Sequence, residues 1–585
     1  MRQLMDNETP QGVSDEWSTI PWRKLERYIY RLQKRIYKAK QRHDTRAVRG
    51  LKRVLKRSKA AKTLAVRQVT QDNRGKRTAG IDGVKNLKPT ERLQMAATLS
   101  LQGKASPVRR VWIPKPGKDE KRPLGIPTMR DRAKQALAKM ALEPEWEAVF
   151  EPNSYGFRPG RGCHDAIEQV FIAMRGEKYI LEADIKGCFD NIAHEALLDK
   201  VNGPALRPLL KGWLKAGIMD GEVFQETPQG TPQGGVISPL LANIALHGLE
   251  EDTKEALKLI LTRSAKPYHQ GWERARRTLQ VIRYADDFVV IHKELSVIKE
   301  AEKYIAEWVG NMGLQLKPEK TRIVHSLLRY EGNEPGFNLL GFNCRQYRKA
   351  QDGKIKTLIK PEKDKLRRHL MGIKESIRKL ETDSQEEVNR INSKIRGWTN
   401  YYRTCVAAET FKQADNVMYW QLSEWTKKSS PKGSIRRKMR QYFRAVKNRN
   451  WVFTTPKGKE LLRHDATKIV RHIKVQGSRS PFDGDWAYWA TRLGHNPLLS
   501  PRRARMLKKQ KGRCGYCKLH FRQEDILEIH HMDGNHKNNK KDNLMLIHGH
   551  CHDQITAQMQ RTHDKGSVTE EPCAGKLAST VLKQR

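Results

Sequence analysis

The chain has no long apolar run, few cysteines and too few acids to balance its bases. No stretch approaches the roughly 18 consecutive apolar residues of a membrane-spanning helix, so we expect no membrane span. The start, "MRQLMDNETPQGVSDEW", lacks an apolar core and carries early acids, which argues against a signal or transit peptide. Eight scattered cysteines in 585 residues indicate a reducing compartment, and we expect a cytoplasmic protein.

The shortage of acids leaves an extreme basic excess. There are 113 Lys and Arg residues against 65 Asp and Glu residues, which gives a formal net charge of +48 and a pI near 10.0. Because self-repulsion at that level is costly, the charge predicts a polyanionic partner, a nucleic acid. With 37% hydrophobic residues, 13 Trp and 13 Phe, the chain is still able to build cores, and its length suggests about four domains.

Two adjacent carboxylates occur in the stretch "VIRYADDFVVIHK", residues 281–293. Asp286 and Asp287 stand between two runs of β-branched residues, which predicts a hairpin with "ADD" at its turn. Upstream, "LEADIKGCFDNI" places Asp184 at the end of a second apolar strand. An exposed Asp-Asp turn is often without function, but a strand end and a hairpin tip can bring three carboxylates together. Such a cluster suits Mg²⁺, and two ions would clamp the attacking and leaving oxygens of a phosphoryl transfer.

The remaining pattern mixes strands and helices up to residue 345 and becomes helical beyond residue 360. "VRRVWIPK" predicts a strand, and "RDRAKQALAKMALEPEWEAVF" predicts a helix. Apolar residues spaced three and four apart from Leu366 to Leu380 predict a helical domain. Similar spacing from Trp22 to Ile36 predicts an amphipathic helix with basic faces.

Cys514, Cys517 and Cys551, together with His548, form two pairs of equal spacing towards the end of the chain. "CGYC" covers residues 514–517 and "HGHC" covers residues 548–551, with a ββα-sized segment between them. This spacing predicts a tetrahedral, structural Zn²⁺ site made of Cys514, Cys517, His548 and Cys551. His550 is the rival for the fourth position.

Several further stretches accompany "RYADDFVV" in a fixed order along the chain. They are "RRVWIPKPGKDEKRPLGIPTMRDR", "NSYGFRPGRGCHDAI", "EADIKGCFDNI", "GTPQGGVISPLLANI", "GLQLKPEKTRIV" and "FNLLGF". With the later "IRGWTNYY" and the terminal cysteine-histidine module, this order resembles proteins encoded within group II introns, which are reverse transcriptases and maturases with a C-terminal HNH endonuclease domain. The resemblance runs from roughly residue 15 to residue 565.

The resemblance implies an α+β fold: a right-hand polymerase with fingers and palm, a helical thumb, and a C-terminal zinc-bound ββα HNH module. It divides the chain into six segments. They are 1–104 (N-terminal helical extension and start of the fingers), 105–350 (reverse transcriptase fingers and palm), 351–475 (helical thumb or maturase domain), 476–508 (basic DNA-binding segment), 509–565 (HNH endonuclease domain) and 566–585 (polar tail).

In the polymerase, the resemblance assigns Asp184 and Asp286 as ligands of two Mg²⁺ ions, with Asp287 supporting them. Phe189 stands five residues after Asp184, where the family uses an aromatic ring as a steric gate. A ring at this place would collide with the ribose 2′-OH of an RNA precursor. The alternative for Phe189 is plain core packing.

The resemblance also assigns residues that bind the incoming deoxynucleotide. Lys115 and Arg122 would hold its triphosphate, and ordinary surface charge is the alternative for both. Gln233 in "PQGG" would contact the nucleotide, while Gly234 and Gly235 would permit a close backbone approach.

In the nuclease, the resemblance assigns His531 as general base, Asn543 as the middle Asn of the motif, and His552 as the histidine after the last cysteine. His530 and His552 would share one catalytic cation. Many members carry Asp where this chain has His530, which leaves Mg²⁺ and Mn²⁺ both open. A zinc-ribbon DNA-binding module without catalysis is the alternative.

The resemblance therefore implies RNA-directed DNA polymerase, maturase and DNA endonuclease activities that together support target-primed intron retrohoming. The expected partners are the group II intron RNA, target DNA and dNTPs, in a cytoplasmic bacterial ribonucleoprotein of open oligomeric state. A reverse transcriptase of another lineage would need neither "GWTNYY" nor an HNH module. Maturases that only bind RNA usually lose the Asp-Asp box or the metal module, and this chain has both.

Overall fold

The computed structural model describes residues 12–114, 119–201, 206–265, 271–381, 385–429, 433–446, 449–522 and 525–564. The chain separates into two compact units, Met1–Ser480 and Pro481–Arg585. Over the described ranges, no helix combines the length and the apolar character needed to cross a bilayer. The six-segment division drawn from the sequence is finer than these two units and stays a prediction.

Five helices open the first unit. They are α1 (Gly12–Thr19), α2 (Trp22–Gln41), α3 (Thr45–Arg57), α4 (Lys59–Arg67) and α5 (Pro89–Thr98). The predicted amphipathic helix is confirmed as α2, which buries Ile29, Leu32 and Ile36 in the apolar core of this region. The side chains of Asp44 and Ser58 accept hydrogen bonds from first-turn amides of α3 and α4, which fixes where each helix begins.

Strands and helices then alternate over residues 108–361. In order they are β1 (Val108–Pro114), β2 (Lys121–Ile126), α6 (Met129–Glu147), α7 (Cys163–Ala173), β3 (Tyr179–Asp184), α8 (Cys188–Asn191), α9 (His194–Lys200), α10 (Arg207–Leu214), β4 (Ile218–Asp220), β5 (Val223–Gln225), α11 (Ser238–Ala245), α12 (Leu249–Ala256), α13 (Lys258–Ala265), α14 (Trp272–Ala275), β6 (Gln280–Tyr284), β7 (Asp287–His292), α15 (Leu295–Gly310), β8 (Arg322–His325), β9 (Phe337–Leu339), β10 (Phe342–Arg348) and β11 (Ile355–Pro361). The predicted strand at "VRRVWIPK" is confirmed as β1, and the predicted helix is confirmed as α6.

Three sheets are built from these strands. The outer sheet has the order β2-β1-β4-β5, the central sheet has the order β6-β7-β3-β8, and a third sheet has the order β11-β10-β9. The central sheet is antiparallel. Because its strands are apolar, they pack against helices and are buried. Leu181 of β3 and Val290 of β7 share one core with Ile298 of α15. This packing fixes the register of the strand ends.

A helical bundle with an added hairpin follows the third sheet. Its elements are α16 (Lys363–Arg378), α17 (Gln385–Tyr402), α18 (Ala408–Lys428), α19 (Ile435–Tyr442), β12 (Phe443–Val446) and β13 (Arg449–Phe453). The helical spacing from Leu366 to Leu380 is confirmed as α16. The sequence reading placed only helices in residues 351–475, whereas β11 and the β12–β13 hairpin also lie there. Strand β11 mixes two lysines and a threonine with its apolar residues, and β12 and β13 are only four and five residues long, so neither region gave a clear strand pattern.

The second unit contains α20 (Trp486–Leu493), α21 (Pro501–Lys509), β14 (Leu527–His531), β15 (Leu544–His548) and α22 (Gly549–Asp564). Strands β14 and β15 pair antiparallel, with Leu527 opposite His548. Ala490 of α20 and Leu507 of α21 share an apolar core with Leu546 of β15. The helices that precede the cysteine pairs therefore belong to the same core as the cysteine pairs themselves.

Candidate functional site

The register of the central sheet brings two of the three predicted carboxylates face to face. Asp184, the last residue of β3, pairs with Asp287, the first residue of β7. Asp286 lies in the two-residue turn between β6 and β7, where Ala285 has a positive φ of 58°. The hairpin predicted from "VIRYADDFVVIHK" is confirmed, although Asp287 already belongs to the strand. All three carboxylates lie at one end of the central sheet.

These carboxylates disfavour one another's ionised forms. Burial, followed by the charges of Asp286 and Asp184, raises the pKa of Asp287 to about 7. Burial also raises the pKa of Asp286, and Asp184 adds to that rise. Because the anionic forms repel each other, a cation bound between them would stabilise the ionised cluster. The cluster thus has the electrostatics of a cation site.

One lysine that the sequence reading passed over supplies a positive charge at this place. Lys320 Nζ donates a hydrogen bond to Asp184 Oδ2 at 2.5 Å. Burial lowers the pKa of Lys320, but its hydrogen bond to Asp184 and the charge of that carboxylate leave the pKa above its ordinary value. Lys320, Asp184 and Asp287 line a cleft of about 680 Å³ that extends to Tyr401 and Tyr402 of α17. Asp184 and Asp287 therefore open onto a space large enough for a substrate.

A buried arginine, Arg283, anchors the hairpin that carries Asp286 through hydrogen bonds to neighbouring segments. Arg283 donates to Asn243 Oδ1 of α11 at 3.2 Å and to Ser154 Oγ at 2.9 Å. It also donates to the carbonyl of Ala285 at 3.2 Å. Gly156 packs so closely on Ala285 that a side chain at this position would collide with the turn. The "NSYGF" and "SPLLANI" stretches thus fix the position of the turn.

The predicted nucleotide-binding residues lie around the same end of the sheet, as far as they are described. Phe189 is half-buried in α8, and its ring meets Phe157 edge-on with centroids 6.0 Å apart. Gln233 Nε2 donates to Asp190 Oδ2 at 2.8 Å. Arg122 is exposed on β2, and its charge partly offsets the rise in the pKa of Asp286 that burial causes. Lys115 lies outside the described residues.

Gly234 and Gly235 do permit a close backbone approach, but the approaching groups belong to the protein. A side chain at Gly234 would meet the carbonyl of Gly125 in β2, and one at Gly235 would meet Ser238 and Gln135. Gln135 also accepts a hydrogen bond from the Val236 amide at 2.8 Å. The glycines therefore anchor the loop that carries Gln233 against β2 and α6.

The four predicted zinc ligands come together in the second unit. Donor atoms of Cys514, Cys517, His548 and Cys551 all lie within 4.8 Å of one another. Among the described residues this is the one group of three or more metal-ligating side chains with that spacing, so the three aspartates form a more open arrangement. Burial, followed by the thiols of Cys517 and Cys514, raises the pKa of Cys551 to about 12. A cation would relieve this crowding of sulfur atoms.

The orientation of His548 distinguishes it from its rival. His548 Nδ1 faces the sulfur atoms, at 3.4 Å from Cys517 Sγ and 3.8 Å from Cys551 Sγ. Its Nε2 lies 3.2 Å from Asp525 Oδ2, a carboxylate that the sequence reading did not single out. His550 stacks on the His548 ring with centroids 4.9 Å apart. The geometry therefore puts His548, and not His550, into the cluster.

The predicted nuclease residues line β14, β15 and the start of α22. The rings of His530 and His552 lie 5.5 Å apart. His552 Nδ1 contacts Glu528 Oε2 at 2.5 Å, a second carboxylate that sequence reading missed. Both ring nitrogens of His531 are buried and have no hydrogen-bond partner in the described protein.

Asn543 has a different geometry from the nuclease histidines, because its side chain is already engaged. It donates to Asp533 Oδ1 at 2.7 Å and to the Asn538 carbonyl at 2.9 Å, and it accepts from the Asp533 amide at 3.0 Å. These bonds close the loop that follows His531. The structure thus gives Asn543 the contacts of a residue that orders this loop.

Four family models match successive parts of the chain. They describe the N-terminal domain of reverse transcriptase (residues 17–99), reverse transcriptase or RNA-dependent DNA polymerase (113–344), the group II intron maturase-specific domain (366–443) and HNH endonuclease (514–558). The aspartates lie in the second match and the Cys/His cluster lies in the fourth.

Known proteins with related sequences include group II intron products. Group II intron-encoded protein LtrA of Lactococcus lactis subsp. cremoris is 30% identical over 387 residues, which are 54% of this chain and 63% of LtrA. Protein YkfC of Escherichia coli K12 is 33% identical over 289 residues, 44% of this chain and 75% of YkfC. A telomerase structure from Candida albicans aligns over 56% of this chain and 60% of its own length, with 13% sequence identity and a TM-score of 0.30. The chain belongs to the group II intron-encoded reverse transcriptases that carry a maturase domain and a C-terminal HNH domain.

Proposed function

We propose that the protein is a multifunctional group II intron-encoded protein. It acts as an RNA-directed DNA polymerase, assists splicing of its intron RNA as a maturase, and nicks target DNA to prime reverse transcription. The observation that carries the proposal is the register that sets Asp184 opposite Asp287, with Asp286 in the adjoining turn, in a chain of net charge +48. The partners are intron RNA, target DNA and dNTPs.

The aspartate end of the central sheet suits Mg²⁺. The raised pKa of Asp287, caused first by burial and then by Asp286 and Asp184, indicates a site that lacks compensating positive charge. Lys320 compensates Asp184 alone by direct contact, and Asp184, Asp286 and Asp287 would hold the ions. When bound, Mg²⁺ supplies Lewis-acid stabilisation of the charge that develops on the transferred phosphoryl group.

The chain's own residues would bind and orient the nucleotide. Arg122 offers a guanidinium fork to the phosphates at the edge of the outer sheet. Gln233 is positioned by Asp190 and by the packing of its loop on β2, so little ordering is needed when the substrate binds. Phe189, supported edge-on by Phe157, would exclude a 2′-OH. Together these contacts select a deoxynucleotide and hold it near the carboxylates.

The second unit supports a separate nicking site. His531 is a good candidate for the general base, because neither of its ring nitrogens has a hydrogen-bond partner among the described residues. Glu528 orients His552, which with His530 would hold the nuclease ion, Mg²⁺ or Mn²⁺. Cys514, Cys517, His548 and Cys551 would hold a structural Zn²⁺ ion that contributes folding free energy to the module.

The maturase and HNH matches favour this function over a reverse transcriptase of another lineage, because both matches lie outside the polymerase. The bacterial, cytoplasmic ribonucleoprotein setting remains part of the proposal. It is supported by relatives from Lactococcus lactis and Escherichia coli.

Primer extension tests the polymerase. The wild-type protein should extend a DNA primer on an RNA template with Mg²⁺ and dNTPs, and Asp286→Ala should lower the rate by several orders of magnitude while RNA binding persists. Asp352→Ala removes an exposed aspartate from the β10–β11 turn and serves as the matched control, with an expected rate equal to that of wild type. An Asp286→Ala protein that extends primers at the wild-type rate would contradict the proposal.

A further inference from the structure

A pocket at the side of the helical bundle is not used by the proposed chemistry. It is formed by one face of α18 and by the β12–β13 hairpin with the segment that follows it, and it has a volume of about 470 Å³. We call it the hairpin pocket. Its volume lies in the range of about 300–1,000 Å³ that is typical of ligand sites. Its hairpin side lies beyond the maturase match, which ends at residue 443.

Three of the aromatic rings that line the pocket form a cluster. The ring centroids of Tyr419 and Phe443 lie 5.4 Å apart, and Trp451 lies 6.5 Å from Tyr419 and 6.4 Å from Phe443. Phe443 is buried and forms part of the floor, whereas Trp451 is 57% exposed. An indole with that exposure offers a free aromatic face to solvent, at the mouth of a preformed cavity.

The backbone supports a functional reading of Trp451. This residue has φ = 71°, a conformation that is unfavourable for a bulky side chain and that glycine or asparagine would adopt more readily. Strained conformations of this kind cluster at binding sites, where surrounding contacts maintain them. A tryptophan that is both strained and exposed contributes little to the core, so its position indicates a ligand that packs against it.

The polar side chains around the hairpin pocket favour a ligand that carries negative charge next to a flat aromatic group. Two polar residues of α18 are exposed at the rim on the same face as Tyr419: Asn416, three residues before it, and Lys412, seven residues before it. Neighbouring α19 carries exposed Arg436, Arg437 and Arg440.

The acid at the base of the hairpin pocket is already occupied. Asp415 accepts from the backbone and ring of His464, each at 2.8 Å, and from the Asp465 amide at 3.0 Å. The aromatic rings therefore do not serve a cationic ligand such as a quaternary ammonium group, which would meet basic side chains and no available carboxylate.

We propose that the hairpin pocket receives one unstacked nucleobase of a bound RNA strand, which stacks on Trp451 while Lys412 and the arginines of α19 contact the flanking phosphates. Single-stranded RNA is recognised in this manner, by aromatic stacking of splayed bases combined with a basic surface. This inference rests on the RNA-binding part of the proposed function. It adds a site to the helical bundle that reads single-stranded rather than paired RNA.

The test measures binding of the full-length protein to two probes: a mixed-sequence single-stranded RNA of about 20 nucleotides and a perfectly paired RNA duplex. Trp451→Ala should weaken binding of the single strand by roughly 5- to 100-fold, the effect of losing one stacked base. It should leave duplex binding unchanged. Trp451→Phe should keep most of the affinity. Trp420→Ala is the matched control, because Trp420 of α18 has a similar exposure, 60%, and does not line the pocket.

A salt series separates stacking from charge. The fold loss in RNA affinity caused by Trp451→Ala should be the same at low and high salt, because stacking releases no counterions. Arg436→Ala should instead reduce the slope of log affinity against log salt concentration, because it removes a phosphate contact. If Trp451→Ala proves unstable in thermal unfolding, Trp451→Gly removes the ring and also relieves the backbone.

The outcomes test the proposed nucleobase site separately from the proposed RNA-binding function. If Trp451→Ala and Trp420→Ala lose the same RNA affinity, or if Trp451→Ala loses the same affinity for both probes, the proposed nucleobase site is wrong. The proposal that the protein binds RNA is unaffected by either result. Wild-type protein that binds neither RNA overturns the proposed function as well.

Discussion

The two candidate metal sites differ in how completely the protein encloses them. In the second unit, four donors from two short segments, residues 514–517 and 548–551, already lie within 4.8 Å of one another, and three of them are buried. At the end of the central sheet, three carboxylates share an edge that opens onto a cleft, and one of them contacts Lys320. A closed set of sulfur and nitrogen ligands is typical of a structural zinc ion, whereas an open set of oxygens leaves room for substrate phosphates.

The comparison shows that the rigidity of each site has a different source. The zinc ligands would be held together by the ion itself, so the metal contributes directly to folding. The aspartates are held by strand register, by Arg283 and by the packing of Gly156, so the sheet folds without the ion. Loss of metal should therefore unfold one module and only inactivate the other.

The largest expected effect is on the closed site. His548→Ala removes a zinc ligand, so the protein should lose stoichiometric zinc and residues beyond about 505 should become protease-sensitive, while primer extension on a supplied primer persists. His550→Ala is the matched control, because this neighbouring ring stacks on His548 without joining the cluster. Zinc content by elemental analysis and limited proteolysis measure both variants. Zinc loss in His550→Ala with retention in His548→Ala would reverse the assignment.

The second effect separates chemistry from structure within the second unit. His531→Ala should slow DNA nicking by roughly 10²- to 10⁴-fold, the usual contribution of a general base. Zinc content and primer extension should not change, since His531 lies outside the zinc cluster. His495→Ala, an exposed histidine of the same unit, should nick at the wild-type rate. Nicking that survives in zinc-replete His531→Ala, or a polymerase that fails with it, would contradict the two-site model.

Sequence patterns anticipated the parts of both sites whose residues are close in the chain. The hairpin around Asp286 and the two x₂ pairs, one Cys–Cys and one His–Cys, are local, so alternation and spacing were enough to predict them. Lys320 was missed because it contacts Asp184 across 136 residues, and only the folded sheet brings them together. Glu528 and Asp525 were missed for a related reason: each acts through a histidine of another element. The β12–β13 hairpin was missed because strands of four and five residues have little periodicity to detect.

A smaller effect should come from the carboxylate behind the zinc ligand. Asp525 lies against His548 Nε2 and would orient the ring and raise its basicity, so Asp525→Asn should weaken zinc affinity by roughly 10- to 100-fold. Competition with a chelator of known affinity measures this change without relying on nuclease activity. Asp553→Asn, an exposed aspartate on α22, should bind zinc as wild type does. An unchanged affinity in Asp525→Asn would mean that the sulfur atoms and the ring alone set the site.

The smallest expected effect concerns the open site and what it admits. Phe189 is half-buried, so part of its ring packs on the core and part remains available to a nucleotide. If the exposed part excludes the 2′-OH, Phe189→Ala should improve incorporation of ribonucleotides relative to deoxynucleotides by roughly tenfold or more, since loss of a steric contact changes specificity by a few kcal/mol at most. Phe157→Ala should give a weaker change in the same direction because Phe157 only supports the ring. Phe171→Ala, an exposed aromatic residue on α7, should give none. Single-nucleotide incorporation kinetics measure this discrimination between ribonucleotides and deoxynucleotides. If Phe189→Ala loses thermal stability but discriminates as wild type does, Phe189 is a core residue, and another residue near the carboxylates must exclude the 2′-OH.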